Sequence, residues 1–183
     1  MEYSEIFKLV HLDCFHDHRG DLRELLNESR IHALGVRNFS HTLLVTSKAN
    51  VFRGMHFQFF PQGKLIFVLS GEVHLFGLDV REKSPTYRMY ERRAANSISN
   101  NYAYWLPPGC AFGYRTFTEA TLLYMASEPR SSNEYSIQFF DSAWNQEANL
   151  PRLHRESIIS EKDELAKTLQ QLEEEKILPI KMI

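Results

Sequence analysis

The sequence predicts a mainly β protein, a barrel or sandwich of short strands followed by one C-terminal helix. Strand-length apolar and β-branched runs recur between turn signals, and aromatic residues are enriched at 13% of 183 residues, with 13 Phe and 8 Tyr. The spacing turns helical only after Pro151. Short strands at close intervals mark all-β architectures, and aromatic side chains pack well on pleated, half-buried surfaces. The length suits one domain with a sizeable core. The barrel is expected over about 5–145 and the helical segment over about 158–178 of the single domain 1–183.

Taken in order, Ile6-Phe-Lys-Leu-Val-His-Leu12 offers a first strand and Asp17-His-Arg-Gly20 a turn. Leu22 to Leu34 is mixed, with some helical spacing. Thr42-Leu-Leu-Val-Thr46 is β-branched and apolar, and Ser47-Lys-Ala-Asn50 marks the next turn. Leu65–Leu69 and Glu72–Val80 read as two strands joined across Ser70-Gly71, a two-residue turn signal. Ser84-Pro-Thr86 is another turn, and Tyr87 to Arg92 alternates weakly. Asn96 to Asn101 is a polar loop, Tyr102-Ala-Tyr-Trp-Leu106 leads into Pro107-Pro-Gly109, and Ala120 to Ala126 gives one more strand. From Glu161 to Ile177, Leu165, Leu169, Leu172 and Ile177 fall near helical spacing, with Ser160 and Asp163 resembling a capping box.

The stretch from Val51 to Val80 sets Arg53, His56, Gln58 and Lys64 among alternating apolar and aromatic residues. Polar groups aimed into an apolar interior cost free energy unless paired. They are either satisfied core hydrogen bonds or a site.

A net charge of −2 gives no global electrostatic case for nucleic acid or an anionic membrane. Basic residues are scattered apart from Arg92-Arg93, read as solvated turn charge. Cys14 and Cys110 have no paired spacing and apolar or aromatic neighbours, so both are expected as buried free thiols. No segment has membrane-spanning length and the first residues lack a leader pattern, so the expected location is cytoplasmic.

Several separated segments line up in order with one family. Arg53-Gly-Met-His-Phe-Gln58, Gln62-Gly-Lys-Leu65, Trp105-Leu-Pro-Pro-Gly109 and Ser160-Glu-Lys-Asp163 resemble dTDP-4-dehydrorhamnose 3,5-epimerase and related nucleotide-sugar epimerases. Asp17-His-Arg-Gly20 and Leu123-Tyr124 do so too, and the match runs over roughly 10 to 178. The resemblance implies a cupin-type jelly-roll barrel working as a homodimer on a nucleotide-diphosphate sugar, without a cofactor. Metal-binding cupins present a His-x-His pair and a further His after a Pro-x-Gly turn. Here those places hold His56-Phe57-Gln58 and Phe112, and one imidazole is too few, so no metal is expected.

A 4-keto group acidifies the sugar's C3 and C5 protons, because the carbanion delocalises onto oxygen. Inversion needs a base on one face, an oxyanion stabiliser, and an acid on the other face. By resemblance His56 is the base and Asp163 the carboxylate that orients it. Lys64 is the cation beside the enolate and Tyr124 the acid. The plain alternatives are a helix-capping Asp163, a snorkelling Lys64 and a core Tyr124. For binding, Arg53, Arg19 and Glu24 match positions that contact sugar or diphosphate, Phe15 matches an aromatic near the base, and Gln58 belongs to the same set. Family dimers exchange N-terminal strands, which would take Arg19 to the neighbouring subunit's site.

Three places depart from the family pattern. Phe112 stands where His is common, and Arg130 where a second Tyr is usual, with Tyr135 nearby as a substitute. His41 and Leu43 stand where a Gln-x-Asn pair is expected. These changes suggest a different sugar or inversion at C3 only, with Arg130 serving another charged group. A ketoisomerase keeping the same base, and a sugar-nucleotide-binding cupin without turnover, are the competing readings.

Overall fold

The computed structural model describes residues 6–59, 62–97, 101–129, 133–145 and 150–179. Strand β1 (Lys8–His11) is followed by a hairpin of β2 (Asp13–Asp17) and β3 (Gly20–Glu24), then by a short helix α1 (Glu28–Ala33). Next come β4 (His41–Ser47), β5 (Phe52–Gln58), β6 (Lys64–Ser70) and β7 (Glu72–Asp79). Strands β8 (Tyr90–Asn96), β9 (Tyr102–Leu106), β10 (Cys110–Thr116), β11 (Ala120–Ala126) and β12 (Glu134–Ser136) follow. The chain then forms three short helices, α2 (Leu150–Glu156), α3 (Glu161–Glu164) and α4 (Leu169–Glu174).

Two five-stranded antiparallel sheets form the body, in the orders β1-β9-β6-β11-β4 and β12-β5-β10-β7-β8. This is the jelly-roll arrangement. Side chains alternate across each strand, so each sheet has an inner and an outer apolar face. Ile66, Val68, Tyr104 and Leu122 of the first sheet meet Val73, Leu75, Phe112 and Tyr114 of the second in the central core. Leu65, Phe67 and Trp105 point outward from the first sheet, where Leu25, Leu26, Leu34 and Phe39 cover them. Phe52, Phe57, Phe76 and Leu78 point outward from the second, under Phe139, Trp144, Leu169, Leu172 and Leu178.

The expected hairpin across Ser70-Gly71 does not form. Strand β6 pairs with β9 and β11, while β7 pairs with β8 and β10 in the opposite sheet. The turn instead carries the chain from one sheet to the other. Gly71 adopts φ +81, and a Cβ there would lie 2.3 Å from the Glu119 carbonyl oxygen. Local turn chemistry names a reversal but not the strand's partner, which long-range burial decides.

The C-terminal helix is also broken. The backbone at Lys167 bridges to Ile137 in parallel, and Gln138 N–H donates to the Lys167 carbonyl at 2.9 Å. A helix cannot pass through residues that pair with a strand, so α3 ends and Thr168 caps α4 afresh through a capping box with Gln171. Leu169 and Leu172 are buried as the spacing predicts, whereas Leu165, in the break, is 75% exposed.

Only Glu28–Ala33 of the Leu22–Leu34 segment is helical, since Leu22 lies in β3. Strand β10 arises where no strand was expected, behind the Pro107-Pro-Gly109 turn. Arg92 and Arg93 sit within β8 rather than in a turn, and Arg93 pairs with Glu91. Cys110 is buried, but Cys14 is only half-buried, because it lies on the β2–β3 ribbon. Among the described residues no helix is long and apolar enough to cross a membrane.

Candidate active site

A cavity of about 260 Å³ opens between the sheets, and a second of about 410 Å³ adjoins it outside. Arg53, His56 and Glu134 line both. Simple alternation would put Arg53 and His56 on opposite faces of β5, since they are three residues apart. Against β10, however, His56 pairs with Phe112 and Arg53 with Tyr114, so three steps on β5 oppose two on β10. This β-bulge re-aims the strand and turns both side chains to the cavity. Gly54 sits inside it at φ +126, where a Cβ would lie 2.5 Å from Gly113 Cα.

Strand β12 brings Ser136 opposite His56 and Glu134 opposite Gln58. The C-terminal segment supplies the last element. Ile158 bridges to Val51 and Lys167 to Ile137, so α3 is pinned at both ends against β5 and the segment after β12. Ser160 caps α3 by accepting from Asp163 N–H at 3.2 Å, which leaves the Asp163 carboxylate free to face β5. It accepts from His56 Nε2 at 2.7 Å and Ser136 Oγ at 3.2 Å on Oδ1, and from Gly54 N–H at 3.3 Å on Oδ2.

Asp163 is thus more than a capping residue. Burial alone would raise its pKa, but the hydrogen bond and charge of His56, with Gly54 and Ser160, outweigh burial and hold it below its ordinary 3.8. An ionised carboxylate only accepts, so His56 carries its proton on Nε2 and keeps the Nδ1 lone pair as its basic site.

Lys64 projects from the start of β6 into the inner cavity, 8% exposed. Burial lowers its pKa from 10.5 to about 8, with Glu134 partly opposing. Its Nζ lies 5.7 Å from the Phe112 ring centroid, a cation–π distance. Tyr124 projects from β11 into the same cavity and packs edge-on to Phe112, with centroids 6.2 Å apart.

The structure therefore brings His56, Asp163, Lys64, Tyr124, Arg53 and Gln58 together. Phe15, Arg19 and Glu24 lie elsewhere in the chain. Phe15 and Arg19 line a separate depression on the β2–β3 ribbon, Arg19 pairing with Asp17, and Glu24 bonds Arg30 and Asn27. Arg130 falls outside the described residues. Tyr135 is not a substitute at the site, because it is paired with Phe57 on the outer face of β5 and stacks on that ring, 5.6 Å between centroids.

Glu134, Ser136 and Tyr114 are site residues that sequence reasoning missed. Glu134 and Ser136 lie on a three-residue strand whose neighbours show no alternation, and only its pairing with β5 aims them inward. Lys162 Nζ meets Glu134 Oε1 at 3.1 Å beside the outer cavity. The departures His41, Leu43 and Phe112 all line the inner cavity. Cys14, His16 and Asp21 on the ribbon form the one group among the described residues with three donor atoms within 4.8 Å, remote from this cavity, and Arg23 on the same face bonds Asp21.

The family model for dTDP-4-dehydrorhamnose 3,5-epimerase matches residues 5–171. The chain belongs to this family. A relative of that name from Salmonella typhimurium is 38% identical over 141 residues, covering 73% of each chain. One from Sinorhizobium fredii is 30% identical over 162 residues, covering 85% of this chain and 81% of that one. Among solved structures, the dTDP-6-deoxy-D-glucose-3,5-epimerase of Legionella pneumophila, in complex with dTDP-4-keto-L-rhamnose, superposes with a TM-score of 0.85. It is 27% identical and covers 99% of this chain and 96% of that one. A 3'-monoepimerase from Streptomyces bikiniensis in complex with dTDP-quinovose gives 0.82 at 27% identity, with 96% and 90% covered. The family assignment carries the cupin jelly-roll fold with it.

Proposed function

We propose that this epimerase inverts C3, or C3 and C5, of a dTDP-linked 4-keto-6-deoxy sugar in deoxysugar biosynthesis, without a cofactor. The observation that carries the reading is the 2.7 Å His56–Asp163 bond at the junction of two cavities, with Lys64 and Tyr124 in the inner one. His56 Nδ1 removes the proton beside the ketone, and the C–H electron pair moves onto the carbonyl oxygen as an enolate. The imidazolium is stabilised by Asp163 and the oxyanion by the Lys64 ammonium. Tyr124 gives its phenolic proton to the opposite face of the carbon. Exchange with solvent then returns a proton to Tyr124 and removes one from His56.

The relatives' dTDP-sugar ligands support the nucleotide, and Arg53 at the shared wall suits the diphosphate. In the proposed homodimer the β2–β3 ribbon takes Phe15, Arg19 and Glu24 to the neighbouring subunit's site; Phe15 and Leu22, paired across the ribbon, are 62% and 64% exposed. A cytoplasmic location and a single domain over 1–183 belong to the same reading.

The test is incubation with dTDP-4-keto-6-deoxyglucose in deuterated water, followed by NMR of the sugar. Deuterium should enter at C3, or at C3 and C5, with inversion there. Absence of exchange with dTDP-, GDP- and CDP-linked 4-keto sugars alike would refute turnover and favour a binding cupin. Migration of the keto group would make the protein a ketoisomerase.

A further inference from the structure

A chain of hydroxyl groups ties the two sheets together beside the inner cavity. Arg53 Nε donates to Ser47 Oγ at 3.0 Å, and Ser47 Oγ lies 2.9 Å from Tyr114 Oη. Ser47 ends β4 in the first sheet, while Arg53 and Tyr114 are cross-strand partners on β5 and β10 in the second. Ser47 is 3% exposed and Tyr114 2%, so both hydroxyls are fixed by packing. Burial, the largest influence, raises the Tyr114 pKa above its ordinary 10.0, which keeps the phenol neutral at cellular pH. Arg53 differs from both. Its side chain is exposed and opens to both cavities, and no carboxylate among the described residues pairs with it.

A guanidinium held at Nε by Ser47, with the Tyr114 phenol also interacting with it, has its plane set and keeps Nη donors for an anion. Preorganising a long side chain removes part of the ordering cost that binding otherwise incurs. We infer that Ser47 and Tyr114 are positioning residues that hold the Arg53 fork ready for the diphosphate of the substrate, an assignment that rests on the epimerase reading above. A plain tie between the sheets would use the same atoms, so the test must separate holding the fold from holding Arg53.

The experiment is titration calorimetry with dTDP on the full chain, with thermal unfolding of each ligand-free variant alongside. Ser47→Ala should weaken dTDP binding about 5- to 10-fold and Tyr114→Phe about 3-fold. Ser47→Thr, which keeps the hydroxyl, should stay within about 2-fold of wild type. In an Arg53→Lys background, which lacks the Nε donor, adding Ser47→Ala should change the affinity by less than about 2-fold. Wild-type affinity in Ser47→Ala, or an equal loss in both backgrounds, overturns the inference. So does an affinity loss in Tyr114→Phe that merely follows a lowered melting temperature, or a wild-type protein that does not bind dTDP. Failure of deuterium exchange with intact dTDP binding would remove the epimerase reading while the two-background comparison still decides the role of Ser47.

Discussion

His56 and Asp163, bonded at 2.7 Å, carry the proposed chemistry at the scale of single residues. Replacing His56 by Asn removes the proposed base at nearly constant volume, and deuterium exchange should fall at least ~10³-fold, toward the upper end for general-base loss. Asp163→Asn keeps the shape but removes the charge that steadies the imidazolium, and about 10²-fold loss is expected in the same assay. Because the Asp163 carboxylate is held below 3.8, its stabilising bonds persist above that pH and disappear only as pH falls through its folded value. Lys64 behaves oppositely. Its folded value of about 8 lies below 10.5, so the unfolded chain binds more protons between these pH values and the Lys64 contribution to stability rises with pH there. Below about pH 8 the protein carries a buried cation at a cost. Lys64→Met should therefore abolish exchange yet stabilise the fold at pH 7, by on the order of 1–3 kcal/mol in denaturant melts. That gain should shrink as pH rises from 8 toward 10.5, while wild-type activity itself declines above about pH 8.

The bulge in β5 decides the site at the scale of elements. The sequence motif containing Arg53, His56 and Gln58 is legible as polar residues in an apolar run, but period-two alternation divides Arg53 from the other two. One extra residue, accommodated at Gly54, removes the conflict. Gly54→Ala combines a positive φ with a Cβ 2.5 Å from Gly113 Cα and 2.8 Å from the Phe112 carbonyl oxygen, both packed backbone atoms. A loss of about 2–4 kcal/mol in chemical denaturation is expected, together with loss of exchange. Helix α3 shows the same lesson from the other side. Helical spacing suggested one long helix, yet only a break at Lys167 lets a four-residue helix present Asp163 to His56. The long-range bridge between Ile137 and Lys167, which periodicity does not encode, sets where that break falls.

The remaining question at the scale of the whole molecule is where the ribbon residues act. Arg19 lines a depression on the ribbon and not the cavity of its own chain, and Phe15 and Leu22 are exposed. In the proposed dimer, mixing inactive Arg19→Ala with inactive His56→Asn after co-refolding should restore roughly a quarter of wild-type activity, because one site in a heterodimer draws both intact residues. Recovery of nothing from a mixture shown by native mass spectrometry to contain heterodimers would refute the action of Arg19 in the neighbouring subunit's site.

By itself the sequence determined the β class, the strand-forming runs and the family, and it singled out His56 and Asp163 as the proposed base and its carboxylate. The class and the runs are properties of residue type and short spacing, set by alternation and turn chemistry, whereas the family and the proposed pair follow from the resemblance of separated motifs taken in order. Only the tertiary structure decided that Ser70-Gly71 crosses between sheets, that Tyr135 faces away from the cavity while Glu134 and Ser136 face it, and that Arg53 is tied to Ser47 and Tyr114. Those outcomes depend on which distant strands pair and in what register, and a shift of one residue in that register turns a side chain from solvent or core to site.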